Sequence, residues 1–184
     1  MKELSLHVLD IAENSVKAGA ALTEIELVES SEDKTLVIRI KDNGCGMDKE
    51  FLRQVTDPFT TTRTTRKVGL GIPLFKAAAE MTGGCFDIAS ETGSGTIVTA
   101  RFKTDHIDFM PVGDMAGTFV TLVRGHPERD FIYRREKDGR SFELSTAEVK
   151  EVMQGVPVSS FEVCEWMQDF INEKTTEILL GGNI

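Results

Sequence analysis

Cysteine is scarce in this 184-residue chain and poorly placed for pairing: Cys45, Cys85 and Cys164 lie far apart, with no Cys-x-x-Cys spacing. Neither a disulfide framework nor a zinc site made from cysteine alone is available, and a reducing cytoplasm fits. No run approaches the roughly 18 consecutive apolar residues that a bilayer crossing demands, so a soluble protein is expected. The opening MKELSLHVLDIAENS lacks a continuous apolar stretch with a small-residue cleavage site and does not read as a signal peptide. Basic excess is absent too. Thirty acidic against 21 basic side chains leave a net charge of -9, which argues against nucleic acid and anionic membrane as partners of the whole surface. Repeats and low-complexity tracts are missing. With 40% hydrophobic residues, the chain suits one globular domain, or one domain with a small appendage.

Apolar residues from Leu4 to Ala18 recur every three or four positions, which predicts an amphipathic helix stopped by Gly19. Glu24 to Val28 and Thr35 to Lys41 read as two strands around the polar SSEDK turn. A glycine-rich loop, DNGCGM, follows, then a short helix from Phe51 to Val55 and the loop DPFTTTRTTRKVGLG. Pro73 to Met81 predicts a helix that Gly83 and Gly84 end, and Cys85 to Ser90 with Gly95 to Phe102 predict two more strands. This is an α+β pattern, a mixed sheet with helices, ending near Lys103. Residues 104–184 read as a small acidic α+β unit with 15 acidic and 8 basic side chains. In it, Gly117 to Arg124, Asp130 to Glu136 and Ser141 to Leu144 are expected as strands. Two closing helices show capping-box spacing, Ser145 with Glu148 and Ser159 with Glu162. Val163, Trp166, Met167, Phe170, Ile171 and Ile178 form one apolar stripe, expected to pack on a sheet or a partner subunit.

No Gly-x-x-x-x-Gly-Lys-Ser/Thr stretch exists, so a P-loop is excluded. Three other segments carry polar groups suited to a nucleotide. On the first helix Asp10, Asn14 and Lys17 are spaced to project from one face. Asn14 offers Mg²⁺ a hard oxygen ligand, Lys17 suits phosphate oxygens, and Asp10 could orient or deprotonate an attacking water or hydroxyl. Taken alone, the triplet is an ordinary solvated helix face. The second segment sets Asp42 at a strand end, followed by Gly44, Gly46 and Met47; by itself it is a turn. The third, Lys67 to Ile72, places Gly69 and Gly71 just before a helix, where free N–H groups receive an anion. Arg63, Arg66 and Lys67 add positive charge upstream.

In this order and spacing, the segments resemble the ATPase family shared by DNA gyrase, the heat-shock chaperones, histidine kinases and MutL, over about residues 4–103. LDIAENSVKAGA is similar to the family's asparagine motif, DNGCGM to its first glycine motif and PFTTT to its phenylalanine motif. GLGI is similar to the second glycine motif and GSGT to the closing one. PFTTTR and GLGI are most similar to histidine kinases and anti-sigma-factor kinases, whereas ENSVKAGA leans toward MutL. The resemblance implies a Bergerat-type two-layer sandwich with helices on one face of a mixed sheet, and ATP held between helices and a lid. It further implies that Asn14 coordinates Mg²⁺ and that Asp42 accepts from the adenine amino group. Gly44, Gly46 and Met47 would line the base pocket, and Gly69 and Gly71 would approach the phosphates, with Leu70 and Ile72 in the same motif. Phe59 and Thr60 would belong to the lid, Thr96 would support Asp42 through a water or a direct bond, and Asp10 would stand where relatives carry a glutamate base.

Only nine residues lie between Phe59 and Gly69, which favours the kinase-like branch over the long lids of gyrase-type members. Two substitutions depart from the family's pattern: Asp10 is one methylene shorter than glutamate, and Ile72-Pro73 replaces the usual leucine and small residue. The strand that normally precedes the asparagine helix is not seen ahead of residue 4, nor is a phosphoacceptor helix pair. The sheet edge so exposed is expected to be filled by the Asp130 to Leu144 hairpin or by a second subunit, a homodimer. His7, His106 and His126 are expected as surface or capping residues, and Cys45 and Cys85 as small packing residues. The expected activity is that of a slow Mg-ATP-dependent ATPase or a kinase toward a separate protein. The alternative is an ATP-sensing module that grips a protein partner.

Overall fold

The computed structural model describes residues 2–55 and 70–181. In chain order it contains α1 (Leu4–Lys17), β1 (Leu22–Ser30), β2 (Thr35–Asp42), α2 (Lys49–Val55), α3 (Gly71–Met81) and β3 (Cys85–Glu91). It continues with β4 (Gly95–Lys103), α4 (Met115–Gly125), β5 (Asp130–Lys137), β6 (Arg140–Ser145), α5 (Thr146–Met153) and α6 (Phe161–Leu180). The strands form one six-stranded mixed sheet in the order β3-β4-β2-β1-β5-β6, in which only the β1–β5 pair is parallel.

Strand alternation sets the layers. Ile25, Leu27, Leu36, Ile38, Ile40, Val98, Ala100, Phe102, Phe131 and Tyr133 point to one face and are buried beneath helices. The other face is solvated and charged: Glu24 sits opposite Lys41 (2.7 Å) and Glu26 opposite Arg39 (2.9 Å). Such exposed cross-strand pairs are each worth only about 0.5 kcal/mol, but they keep that face from collecting a second apolar layer. The expected two-layer α+β sandwich is therefore the observed one.

The vacant edge is filled from within the chain. β5 lies along β1 from Leu22↔Asp130 to Glu29↔Lys137, and the β5–β6 hairpin extends the sheet beyond it. Parallel pairing requires a crossover from the far end of β4, and a helix is the usual solution. Hence Gly117 to Arg124, expected as a strand, is the interior of α4. Asp114 accepts from Gly117 N at 2.7 Å as its N-cap, and Met115, Ala116, Phe119, Val120, Leu122 and Val123 are buried along it. Burial on a broad face overrides the β-propensity of its threonines and valines.

Other details differ from the sequence reading. Gly71 and Ile72 already belong to α3, with Pro73 in its first turn, where a missing N–H costs nothing. Ser160, not Ser159, is the N-cap of α6, so the serine–glutamate spacing is out of register; neither Ser145 nor Ser160 makes a side-chain cap bond. Cys45 and Cys85 are exposed and do not pack; Cys164 is buried. On α6 the stripe holds for Val163, Met167, Ile171 and Ile178, while Trp166 stays exposed and stacks on Phe170 at 5.5 Å.

His7 is 3% exposed, not at the surface, and stacks on Phe75 of α3 at 5.7 Å. Burial, opposed by nearby Asp10, lowers its pKa from 6.5. The unfolded chain therefore takes up a proton that the folded one resists, and stability falls as pH drops through 6.5 toward the lower folded-state value. Denaturation midpoints should decline over that interval and the His7→Phe variant should lose most of the dependence; an unchanged profile in the variant contradicts this origin. The other two histidines fit expectation. His126 is the C-cap residue of α4 and its Nε2 meets Glu13 Oε1 at 3.0 Å, while exposed His106 accepts from Asp108 N at 3.1 Å.

Candidate nucleotide site

Asp42 ends β2 and is 8% exposed. Its Oδ2 accepts from Ser15 Oγ at 2.7 Å, and its Oδ1 accepts from Gly44 N at 2.9 Å. Ser15 follows Asn14 on α1, so a buried side-chain bond fastens the helix bearing Asp10, Asn14 and Lys17 to the end of β2. Cys45 N donates to Ala18 O at 2.9 Å, and Asn43 Oδ1 accepts from Ala21 N and Leu22 N at 2.8 and 2.9 Å. Helix, strand end and loop are thus one hydrogen-bonded unit.

The loop is wedged against the β3–β4 turn as well. Gly93 N donates to Cys45 O (2.8 Å), and Met47 N donates to Ser90 Oγ, itself 2.9 Å from both Gly95 O and Thr96 Oγ1. Thr96 is the backbone register partner of Asp42, but its hydroxyl engages Ser90, while the Asp42 carboxylate is held by Ser15 and Gly44. Gly46 has φ +65° and a Cβ there would overlap the Glu91 carbonyl. Gly46→Ala should accordingly cost about 2 kcal/mol. Denaturant titration reads this directly, and a loss near zero would mean that the loop is free to move off the turn.

The third segment reaches the same place through α1. Gly71, the first residue of α3, is packed on Asp10: a Cβ at 71 would stand 3.1 Å from Asp10 Cβ and 3.6 Å from Oδ2. Gly71 and Ile72 stand in the first turn of α3, whose N–H groups are not bonded within the helix, and Pro73 has no N–H. Asp10 and Lys17 are exposed, and Asn14 is half-buried. Met47 is half-buried against the core, Leu70 is exposed, and Ile72 is a buried core side chain. Phe59, Thr60, Arg63, Arg66, Lys67 and Gly69 lie outside the described residues. Positions 10, 14, 42 and 71, far apart in sequence, therefore border one region at the end of the sheet.

Sequence reasoning missed Ser15, Asn43 and Ser90. A signal existed for Ser15: it falls on the apolar face of α1 beside Ile11 and Ala12, and a buried hydroxyl needs a partner. Asn43 and Ser90 carried none, because their partners lie on other elements.

Residues 2–106 match the family described as histidine kinase-, DNA gyrase B-, and HSP90-like ATPase. The chain belongs to this family. Curated relatives include the sensor histidine kinase YvrG of Bacillus subtilis, 30% identical over 94 residues covering 49% of this chain and 16% of that protein. Sporulation kinase D of the same organism is 32% identical over 92 residues, covering 50% of this chain and 18% of that protein. The chain therefore spans less than a fifth of the length of these relatives. Among solved structures, the Aquifex aeolicus MutL ATPase domain complexed with ADP aligns with TM-score 0.50 at 19% identity, over 84% of this chain and 70% of that one. The N-terminal domain of a DNA repair protein aligns with TM-score 0.55 at 13% identity, over 86% of this chain and 59% of that one. These two support the fold. Their coverage extends past residue 106 into the C-terminal elements, whereas the sequence likeness to kinases covers about half of the chain. Among the described residues no helix is long and apolar enough to cross a membrane.

Proposed function

We propose that this chain binds Mg-ATP at the Asp42 end of the sheet and acts on a separate protein, as a slow ATPase or as a protein kinase. The observation that carries this reading is the Asp42 carboxylate, buried, oriented by Ser15 and Gly44, and joined through α1 to the Asp10–Gly71 contact. A buried carboxylate with fixed lone pairs suits an exocyclic amino group. The start of α3 suits an anion, because a helix N-terminus carries partial positive charge.

For the metal, the donor set fits: Asn14 offers one neutral oxygen, which suits an ion that keeps several waters and takes its remaining ligands from phosphates. Bound there, Mg²⁺ would neutralise phosphate charge. Asp10 packs against Gly71 at the start of α3, and on this reading it orients or deprotonates the attacking water or hydroxyl. Phe59, Thr60, Arg63, Arg66, Lys67 and Gly69 are assigned to the lid and phosphates by resemblance alone. Residues 1–103 are read as the nucleotide domain, and 104–184 as an acidic extension built onto the same sheet and facing the protein partner. A reducing cytoplasm is the compartment that suits three free cysteines.

Titration calorimetry of ATP and ADP, with and without Mg²⁺, tests the binding claim; heat signals no larger than for buffer would remove it. Asp10→Asn tests the chemical claim. Turnover should fall about 100-fold or more with ATP affinity nearly unchanged, since ligand and base duties rest on different residues. Equal turnover in both proteins would exclude Asp10.

One observation favours a second reading, an ATP-sensing module. Leu4 N donates to Pro111 O (3.0 Å) and Ser5 N to Val112 O (2.8 Å), so the C-terminal extension caps the helix that carries Asn14. Saturating ATP with no phosphate release, but with ATP-dependent capture of a partner, would select it.

A further inference from the structure

At the end of the sheet opposite Asp42, about 20 Å away along β2 at strand rise, lies a cavity of about 350 Å³. Its wall includes Leu36, Phe109, Val112 and Leu179, which are apolar, and Glu29, Arg135 and Thr175, which are not. The inner-face alternation that buries Leu27 and Tyr133 continues here as charge: Glu29 follows on β1, Arg135 and Lys137 on β5. Charged groups on an apolar face need a reason.

Their pairing is incomplete. Glu29 accepts from Lys137 Nζ at 2.7 Å and, at 3.5 Å, from Arg135 Nη2. The Arg135 side chain is 5% exposed, and its Nε has no hydrogen-bond partner among the described residues. Nor does the hydroxyl of fully buried Tyr133, whose polar neighbours are Arg135 and Thr175. Each of the two groups has a proton to donate, so an acceptor entering beside them would be held by both. Lys137 and Arg135 share the single Glu29 carboxylate, so that carboxylate competes with any other acceptor for Arg135.

We infer that this cavity binds a small amphipathic monocarboxylate, its carboxylate on Arg135 Nε and the Tyr133 hydroxyl and its apolar part against Leu36, Phe109, Val112 and Leu179. A cavity of this size lies at the small end of ligand pockets. One guanidinium, already shared with Glu29, suits a monoanion better than a phosphate dianion. No group of the candidate nucleotide site takes part, so the inference stands or falls apart from ATP binding.

Octanoate and its uncharged counterpart octanol are the probes, titrated into the full chain while the Arg135 Nε–H resonance is followed by NMR. Octanoate should shift that resonance saturably and octanol should not. Tyr133→Phe, which keeps the ring packing, should weaken octanoate about tenfold, and Arg135→Gln should abolish its binding. Glu29→Gln, which removes the competing carboxylate, should tighten it. Folding of each variant is checked on the amide spectrum. Equal binding of both probes, octanoate shifts confined to the exposed Phe161 and Trp166 region, or a wild-type Arg135 signal unmoved at millimolar octanoate would overturn the proposal. So would octanoate affinity that is unchanged in folded Tyr133→Phe and Glu29→Gln.

Discussion

Asp42→Ala is expected to abolish measurable ATP binding and to cost about 2–4 kcal/mol of stability. The stability part follows from the folded protein alone: removing the carboxylate leaves the Gly44 amide buried without its acceptor and the Ser15 hydroxyl with only its long bond to Ile11 O at 3.4 Å, and a buried group that loses its partner costs about 1–3 kcal/mol. The binding part follows from the adenine contact proposed for Asp42. Asp42→Asn separates the two. It keeps shape and one acceptor oxygen, so most stability should survive, while ATP affinity falls about 100-fold through loss of the charged acceptor. Denaturant titration and calorimetry on the same samples measure both. An Asn variant that binds ATP like the parent would show that Asp42 is structural only.

Removal of residues 104–184 is expected to leave a fragment without a fixed tertiary structure. It strips β1 of its parallel partner along eight register positions. It also withdraws Phe119, Leu122, Phe131, Tyr133 and Met167, all essentially fully buried. Each is worth about 2 kcal/mol of burial, which together is comparable to the whole stability of a domain. The Pro111 and Val112 carbonyls that cap α1 go with them. A fragment with collapsed amide dispersion and no near-ultraviolet dichroism is the expected result. A soluble, well-dispersed monomer that still binds ATP would show instead that residues 1–103 are self-sufficient and that the hairpin merely shields the edge.

These two experiments mark the limits of the linear text. Among the described residues up to 103, the elements were legible because local patterns agree with their tertiary use. Apolar spacing in α1 buries Leu4, Val8 and Ile11, strand alternation buries Ile25, Ile38 and Ile40, and glycines stand where backbones nearly touch. The motif order already joined Asn14, Asp42 and Gly71 into one hypothesis. α4 misled because its threonines and valines favour strands locally, and only the need to cross from β4 to a parallel β5 makes it helical.

Local pattern was enough for the α+β class, the period of most elements and the residue types suited to a nucleotide, since each depends on neighbours within a few positions. Tertiary structure alone decided which partners those residues have: Ser15 on Asp42, Gly71 against Asp10, carbonyls of 111 and 112 on α1, and β5 beside β1. Hydrogen bonds and burial act between atoms brought close in space. Periodicity fixes which face a side chain takes, but not which distant segment comes to meet it.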